Sequence, residues 1–182
     1  MGREISIFSD YHQQENSLSN YCGLLMKILY QESPKQFQEL LSALIKAKAD
    51  IIVGPTFSQQ IKKVKSIPDL VIAQKSFAIH FETKLTNWFY NDQISRHIDG
   101  FQNSDYKILF LLANYEEDEL DSLFEEQINK AYLKGIILQP ISFEDFIGSL
   151  ELVCRGEYLS SLLDEFKIYL DRNDHLPKWK YL

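Results

Sequence analysis

Apolar residues near the start of the chain recur at the spacing of helix faces. Leu18, Tyr21, Leu24, Leu25, Ile28 and Leu29 predict a helix over about residues 11–30. Phe37, Leu40, Leu41, Leu44 and Ile45 predict a second one, opened by Pro34 and running to about residue 48. The period then shortens. Residues 50–57, with Ile51, Ile52 and Val53, read as a strand interrupted at Gly54-Pro55, and residues 60–65 as its continuation or a short edge strand. Residues 69–73 and 76–85 read as a hairpin around Gln74-Lys75. Its second arm alternates: Phe77, Ile79, Phe81 and Leu85 fall on one face, and Ala78, His80, Glu82 and Lys84 on the other.

Residues 92–101 predict a helix capped by Asn91 or Asp92 and stopped near Gly100. Ile108, Leu109, Phe110, Leu111 and Leu112, inside residues 106–113, make an unbroken apolar run expected at the centre of a sheet, buried on both faces. A helix over about 118–133 ends at Gly135, and a buried strand at Ile136, Ile137 and Leu138 is stopped by Pro140. Ser142, Phe143, Glu144 and Asp145 open a further helix as a capping sequence, and a last helix covers about 157–170. The tail from Pro177 to Leu182 fits no one pattern. Strands followed by crossover helices predict an α/β fold, a mixed β-sheet flanked by helices on both faces.

At 182 residues, without a linker or an internal repeat, one domain over residues 1–182 is expected. The apolar and charged fractions, 45% and 25%, are those of a globular chain and argue against disorder. No apolar run approaches the roughly 18 residues of a membrane span, and the N-terminus lacks the plan of a signal peptide. Met1-Gly2-Arg3-Glu4-Ile5-Ser6 matches the loose myristoylation pattern, with charges inside it that speak against modification. Cys22 and Cys154 lie in apolar stretches without paired spacing, so two small core residues in a reducing, cytoplasmic setting are expected.

Against this background Asp69, Glu82 and Lys84 stand out. Pro68-Asp69 precedes the alternating strand by a short stretch, and Glu82-Thr83-Lys84 sends a carboxylate and an amine from one strand face. Two carboxylates beside a lysine suit a hard divalent cation and an activated water next to it. Thirteen positions separate Asp69 from Glu82, enough for two adjacent strands and a turn. The Glu-x-Lys spacing recurs at Glu165-Phe166-Lys167, but in a helical pattern with no Pro-Asp before it.

The Pro-Asp and Glu-x-Lys halves, with the elements around them, resemble the PD-(D/E)XK nuclease superfamily, the restriction-endonuclease-like fold. The resemblance covers roughly residues 15–153 and implies an αβββαβ core with extra helices at both ends. It implies that Asp69, Glu82 and the backbone carbonyl of Thr83 ligate Mg²⁺ or Mn²⁺. Lys84 would orient the attacking water, deprotonate it with a lowered pKa, or stabilise charge on the phosphorus. It implies a further glutamate on the first helix, matched by Glu15, and a Gln-x-x-x-Tyr pattern in some members. Gln93 matches the start of that pattern, whereas His97 stands where the tyrosine would be. Gln93, Arg96 and His97 share one helix face, and solvent is the plainer expectation for His97.

The implied activity is metal-dependent hydrolysis of phosphodiester bonds in nucleic acid, DNA first, in bacterial restriction, defence or repair. A second-strand cut would call for a homodimer or partner protein. Lys62, Lys63, Lys65, Lys75 and Lys84 crowd around the site, a cluster that reads as solvated surface more readily than as a groove, and Lys62, Lys63, Lys65, His80 and Arg96 are the candidate nucleic-acid contacts. The net charge of −7 works against a strong grip on long duplexes, because phosphate neutralisation needs Lys and Arg. Glu116, Glu117, Asp118, Glu119 and Asp121 concentrate the acids where a helix begins, which the macrodipole favours. No serine elbow, phosphate-cradling glycine loop, dinucleotide fingerprint or paired histidine spacing occurs, which removes those enzyme classes. The rivals are a catalytically silent nuclease-fold interaction module and an unrelated α/β protein with a coincidental motif.

Overall fold

The computed structural model describes residues 14–59, 70–86, 88–115 and 120–172. Two helices open the fold, α1 (Gln14–Glu32) and α2 (Pro34–Leu44). Ser33 separates them: its hydroxyl accepts from the Gln36 amide at 3.2 Å, and Pro34 at the first helical position has no amide proton to lose. The strands β1 (Thr56–Gln59) and β2 (Leu70–Ala73) form an antiparallel ribbon, Thr56 opposite Ala73. Next come β3 (Phe77–Thr83), α3 (Asn91–Asp99) and β4 (Tyr106–Ala113). They are followed by α4 (Leu120–Leu123), α5 (Glu125–Leu133), β5 (Ile137–Ser142), α6 (Phe143–Val153) and α7 (Glu157–Arg172). The architecture is mixed α/β.

β3, β4 and β5 form a parallel sheet in that order, with Phe81 opposite Phe110 and Leu111 opposite Pro140. The unbroken apolar run of β4 places it at the centre, where Ile108 to Ala113 are all buried. Side chains of alternating parity enter two cores. Ile108, Phe110 and Leu112 join residues of α1, α2, α6 and α7; Leu109, Leu111 and Ala113 join residues of α3, α4 and α5. Helices on both faces follow, as the element order predicts.

Several sequence expectations need correction. The hairpin of residues 69–73 with 76–85 does not form among the described residues: β2 pairs with β1, and β3 pairs in parallel with β4. The start of β3 is tied elsewhere, because Asp105 accepts from the Ser76 amide at 2.7 Å and hydroxyl at 2.8 Å. Pro140 does not stop the last strand but lies inside β5, on a sheet edge where a missing amide proton is tolerated. The helix expected over 118–133 is broken at Phe124, whose buried ring packs on Phe89 and Tyr115. Of the expected 50–57 strand only residues 56–57 are in a ladder, which continues to Gln59, the segment before them being irregular.

α3 begins after Tyr90 without a side-chain cap from Asn91 or Asp92, and α2 ends at Leu44, short of residue 48, whereas two other boundaries come out as read. Ser142 and Asp145 form a reciprocal capping box on α6. Gly135, at φ +65°, ends α5 as its position predicts: its amide bonds Tyr132, and the next amide bonds Ala131. Cys22 is buried, Cys154 half-buried, and both are free thiols. Burial pushes the Cys22 thiol far above its ordinary range. Among the described residues no helix is long and apolar enough to cross a membrane.

Candidate functional site

Because β3 is an edge strand of the parallel sheet, its last residues are open to elements on either side. The period-2 rule sends His80 and Glu82 to the α3 side and Thr83 to the α1 side. Glu82 retains only 8% exposure, a burial at which a carboxylate needs partners. It has three. Lys84 Nζ lies 2.7 Å from Oε1, Gln93 Nε2 donates to Oε1 at 2.5 Å, and His97 Nε2 lies 2.8 Å from Oε2. Gln93 and His97 stand one helical turn apart on α3, so one face presents both to the same carboxylate.

The first turn of α1 completes the cluster from the opposite side. Glu15 Oε2 lies 3.8 Å from Lys84 Nζ, and its other oxygen accepts from the Leu85 amide at 3.4 Å. Ser19, one turn later, holds this end of α1 to the strand: its hydroxyl lies 2.7 Å from Thr83 Oγ1 and 3.0 Å from the Glu15 carbonyl. Glu15, Glu82, Lys84 and Gln93, four residues singled out in the sequence, thus meet at the carboxyl end of β3. Open parallel α/β sheets generally bind ligands outside the carboxyl ends of their strands.

Burial alone would lower the pKa of the Lys84 ammonium. The hydrogen bond and charge of Glu82 outweigh it, with Glu15 and Tyr90 adding to them, and the net shift is upward. Lys84 is therefore held protonated, which departs from the expectation of a base with a lowered pKa. His80 stacks on Phe101 with centroids 3.9 Å apart and planes inclined by 12°. Its pKa is lowered, first by burial and then by neighbouring His97.

His97 does not simply meet solvent, because Glu82 engages it. The signal was present in its spacing of four from Gln93. Ser19 was missed altogether, although it stands four residues beyond Glu15 on one helix face. Arg96 is exposed on α3. Lys75 does not join the cluster: it lies at the other end of β3, its amine 5.1 Å from the Tyr106 ring centre. At about 3.3 Å per residue that is on the order of 30 Å along the strand from Lys84. The second Glu-x-Lys copy is helical as expected, and Lys167 pairs there with Glu151 and Asp164.

Asp69, Lys62, Lys63 and Lys65 lie outside the described residues. Among the described residues no group of three or more His, Cys, Asp or Glu side chains is arranged to hold a metal. The donors that do converge on Lys84 from its two sides, Glu82 and Glu15, are carboxylate oxygens of the kind hard divalent cations take. No family model, curated protein or solved structure matches this chain.

Proposed function

We propose that this chain is a divalent-metal-dependent nuclease, hydrolysing phosphodiester bonds in nucleic acid, DNA first, on a single domain of the PD-(D/E)XK type. One observation carries the reading. Glu82 of β3 and Lys84 just past its end are joined by Glu15 from α1 and Gln93 from α3, the two helical positions that the same resemblance singles out. A coincidental Glu-x-Lys pair on a strand would have no reason to gather both.

A hard cation suits this donor set: Glu82 and Glu15 and, as the resemblance implies, Asp69 and the Thr83 carbonyl would hold Mg²⁺ or Mn²⁺, which would supply positive charge against the phosphate and acidity to water. Lys84, kept charged by Glu82 and Glu15, orients the attacking water and offsets charge on the phosphate oxygens. Gln93 and His97 fix the orientation of the Glu82 carboxylate. Proton removal from the water falls to another group, since Lys84 holds its own proton.

A second reading is favoured by the same geometry. Glu82 is satisfied by three protein donors, and a closed network of that kind also suits a silent nuclease-fold module that binds a partner protein. Cleavage assays on plasmid, linear duplex, single-stranded DNA and RNA, with and without Mg²⁺ or Mn²⁺, separate the two. The nuclease requires cutting that depends on metal and is abolished by Asp69→Asn and by Lys84→Ala in folded protein. No cutting of any substrate, or cutting that survives both substitutions, overturns it.

A further inference from the structure

Residues 85–90 fall between the candidate site and α3 in the sequence. Near their end the chain alternates in a way that leaves two large rings in water. Trp88 and Tyr90 are 67% and 64% exposed, while Phe89 between them is 8% exposed. Phe89 is the anchor, with ring centroids 6.1 Å from Tyr115 and 5.7 Å from Phe124. Tyr90 is fixed as well, since its carbonyl accepts from the Gln93 amide at 2.9 Å and the Ile94 amide at 3.1 Å. These bonds set the same turn of α3 that carries Gln93 to Glu82. Tyr90 is also near enough to contribute to the electrostatic surroundings of the Lys84 ammonium.

Two exposed aromatic rings on either side of the anchored Phe89, next to the helical turn that carries Gln93, have a direct use. The chain carries a net charge of −7, and Lys84 is engaged by two carboxylates. Lys75 is at the far end of β3. Among the described residues Arg96 is exposed on α3, but Lys84 is engaged and Lys75 is remote, so phosphate contacts have to be supplemented by contacts that do not depend on charge. Base–aromatic stacking is such a contact, and it tolerates any sequence because every base has a π-face. Bases inside a duplex offer that face only at ends, flaps and melted segments.

We infer that Trp88 and Tyr90 form a stacking platform for unpaired bases, which makes single-stranded nucleic acid or strand ends the substrate class of this site. The inference rests on the nuclease reading for the chemistry that follows binding, but not for the binding itself. The full chain in EDTA, where no cutting occurs, binds a fluorescein-labelled oligothymidylate of about 12 nucleotides more tightly than a blunt duplex of that length. Trp88→Ala and Tyr90→Ala each weaken strand binding on the order of tenfold, and Trp88→Phe retains most of it. In a Trp179→Phe chain, where Trp88 is the one tryptophan left, the oligothymidylate quenches its emission.

Unchanged strand binding in both alanine variants, absence of quenching, or a preference for the blunt duplex overturns the platform. A protein partner captured through these rings, with no affinity for the strand, overturns it too. Metal-dependent cleavage with unaltered strand binding in the alanine variants leaves the nuclease and removes the platform. Strand binding that depends on Trp88 and Tyr90, in a chain that never cuts, does the reverse.

Discussion

On one face of the parallel sheet Ile108, Phe110 and Leu112 meet four helices in a deep apolar core, with the Ser19–Thr83 hydrogen bond on the same side. On the other face Leu109, Leu111 and Ala113 meet α3, α4 and α5, and the apolar surface ends before the strand does. At that end the edge strand supplies Glu82 in place of another hydrophobe, and α3 answers it with Gln93 and His97. The difference teaches where a fold can carry polar chemistry. A strand fixed by a deep core on one side can place a nearly buried carboxylate on its other side. The carboxylate's hydrogen bonds then need only hold an orientation, since the strand is already held.

The largest effects should separate the two faces completely. Lys84→Ala or Glu82→Gln is expected to lower metal-dependent cleavage by about 10²- to 10³-fold, as loss of one positioned electrostatic group does. Circular dichroism and urea midpoints should stay near those of the parent chain, because two donors to Glu82 remain in the first variant. Phe110→Ala should do the opposite. Phe110 is fully buried and lies 4.9 Å from the Phe81 ring centre, so its loss should cost about 3–5 kcal/mol in urea unfolding. If Lys84→Ala unfolds the chain as readily as Phe110→Ala, the site is part of the framework and the contrast fails.

A smaller effect tests the join between the faces. Ser19 links α1, on the deep-core side, to Thr83 next to Glu82. Ser19→Ala should cost about 0.5–1.5 kcal/mol, the usual net value of one hydrogen bond. It should also loosen Glu15, read as a weaker response of cleavage to metal concentration. Loss of stability with no change in the metal response would assign Ser19 to the framework alone.

Much of this was legible in the sequence, for definable reasons. β4 declared itself by an unbroken apolar run, and α6 by Ser142 and Asp145, since both signals are local. The face shared by His80, Glu82 and Lys84 followed from strand period, and the nearness of Glu15 and Gln93 from a family resemblance. Pairing partners were not legible. Whether the strand after Gln74-Lys75 turns back on its predecessor or runs beside β4 depends on long-range contacts such as Ser76 with Asp105. His97 looked solvent-facing because spacing alone shows which face a residue shares, not what that face meets. The break at Phe124 was hidden for a similar reason: its ring is drawn inward by Phe89 and Tyr115, from distant parts of the chain.

The smallest expected effect lies at His80, on the site face but below the cluster. Its ring is stacked on Phe101, and its pKa is lowered from 6.5 by burial and then by His97. In the unfolded chain His80 takes up a proton near 6.5, whereas in the fold it does so only at lower pH. The unfolded state therefore binds more protons in the window just below 6.5, and stability falls as the pH drops through it. Above 6.5 both states are neutral at this residue, and its contribution is fully present. His80→Phe keeps a ring for Phe101 to stack on and removes the proton. Urea midpoints measured on either side of pH 6.5 should thus show a flatter acid limb in the variant. An acid limb identical to that of the parent chain would mean that His80 titrates alike folded and unfolded, and that the polar face of β3 is wetter than its stacking on Phe101 implies.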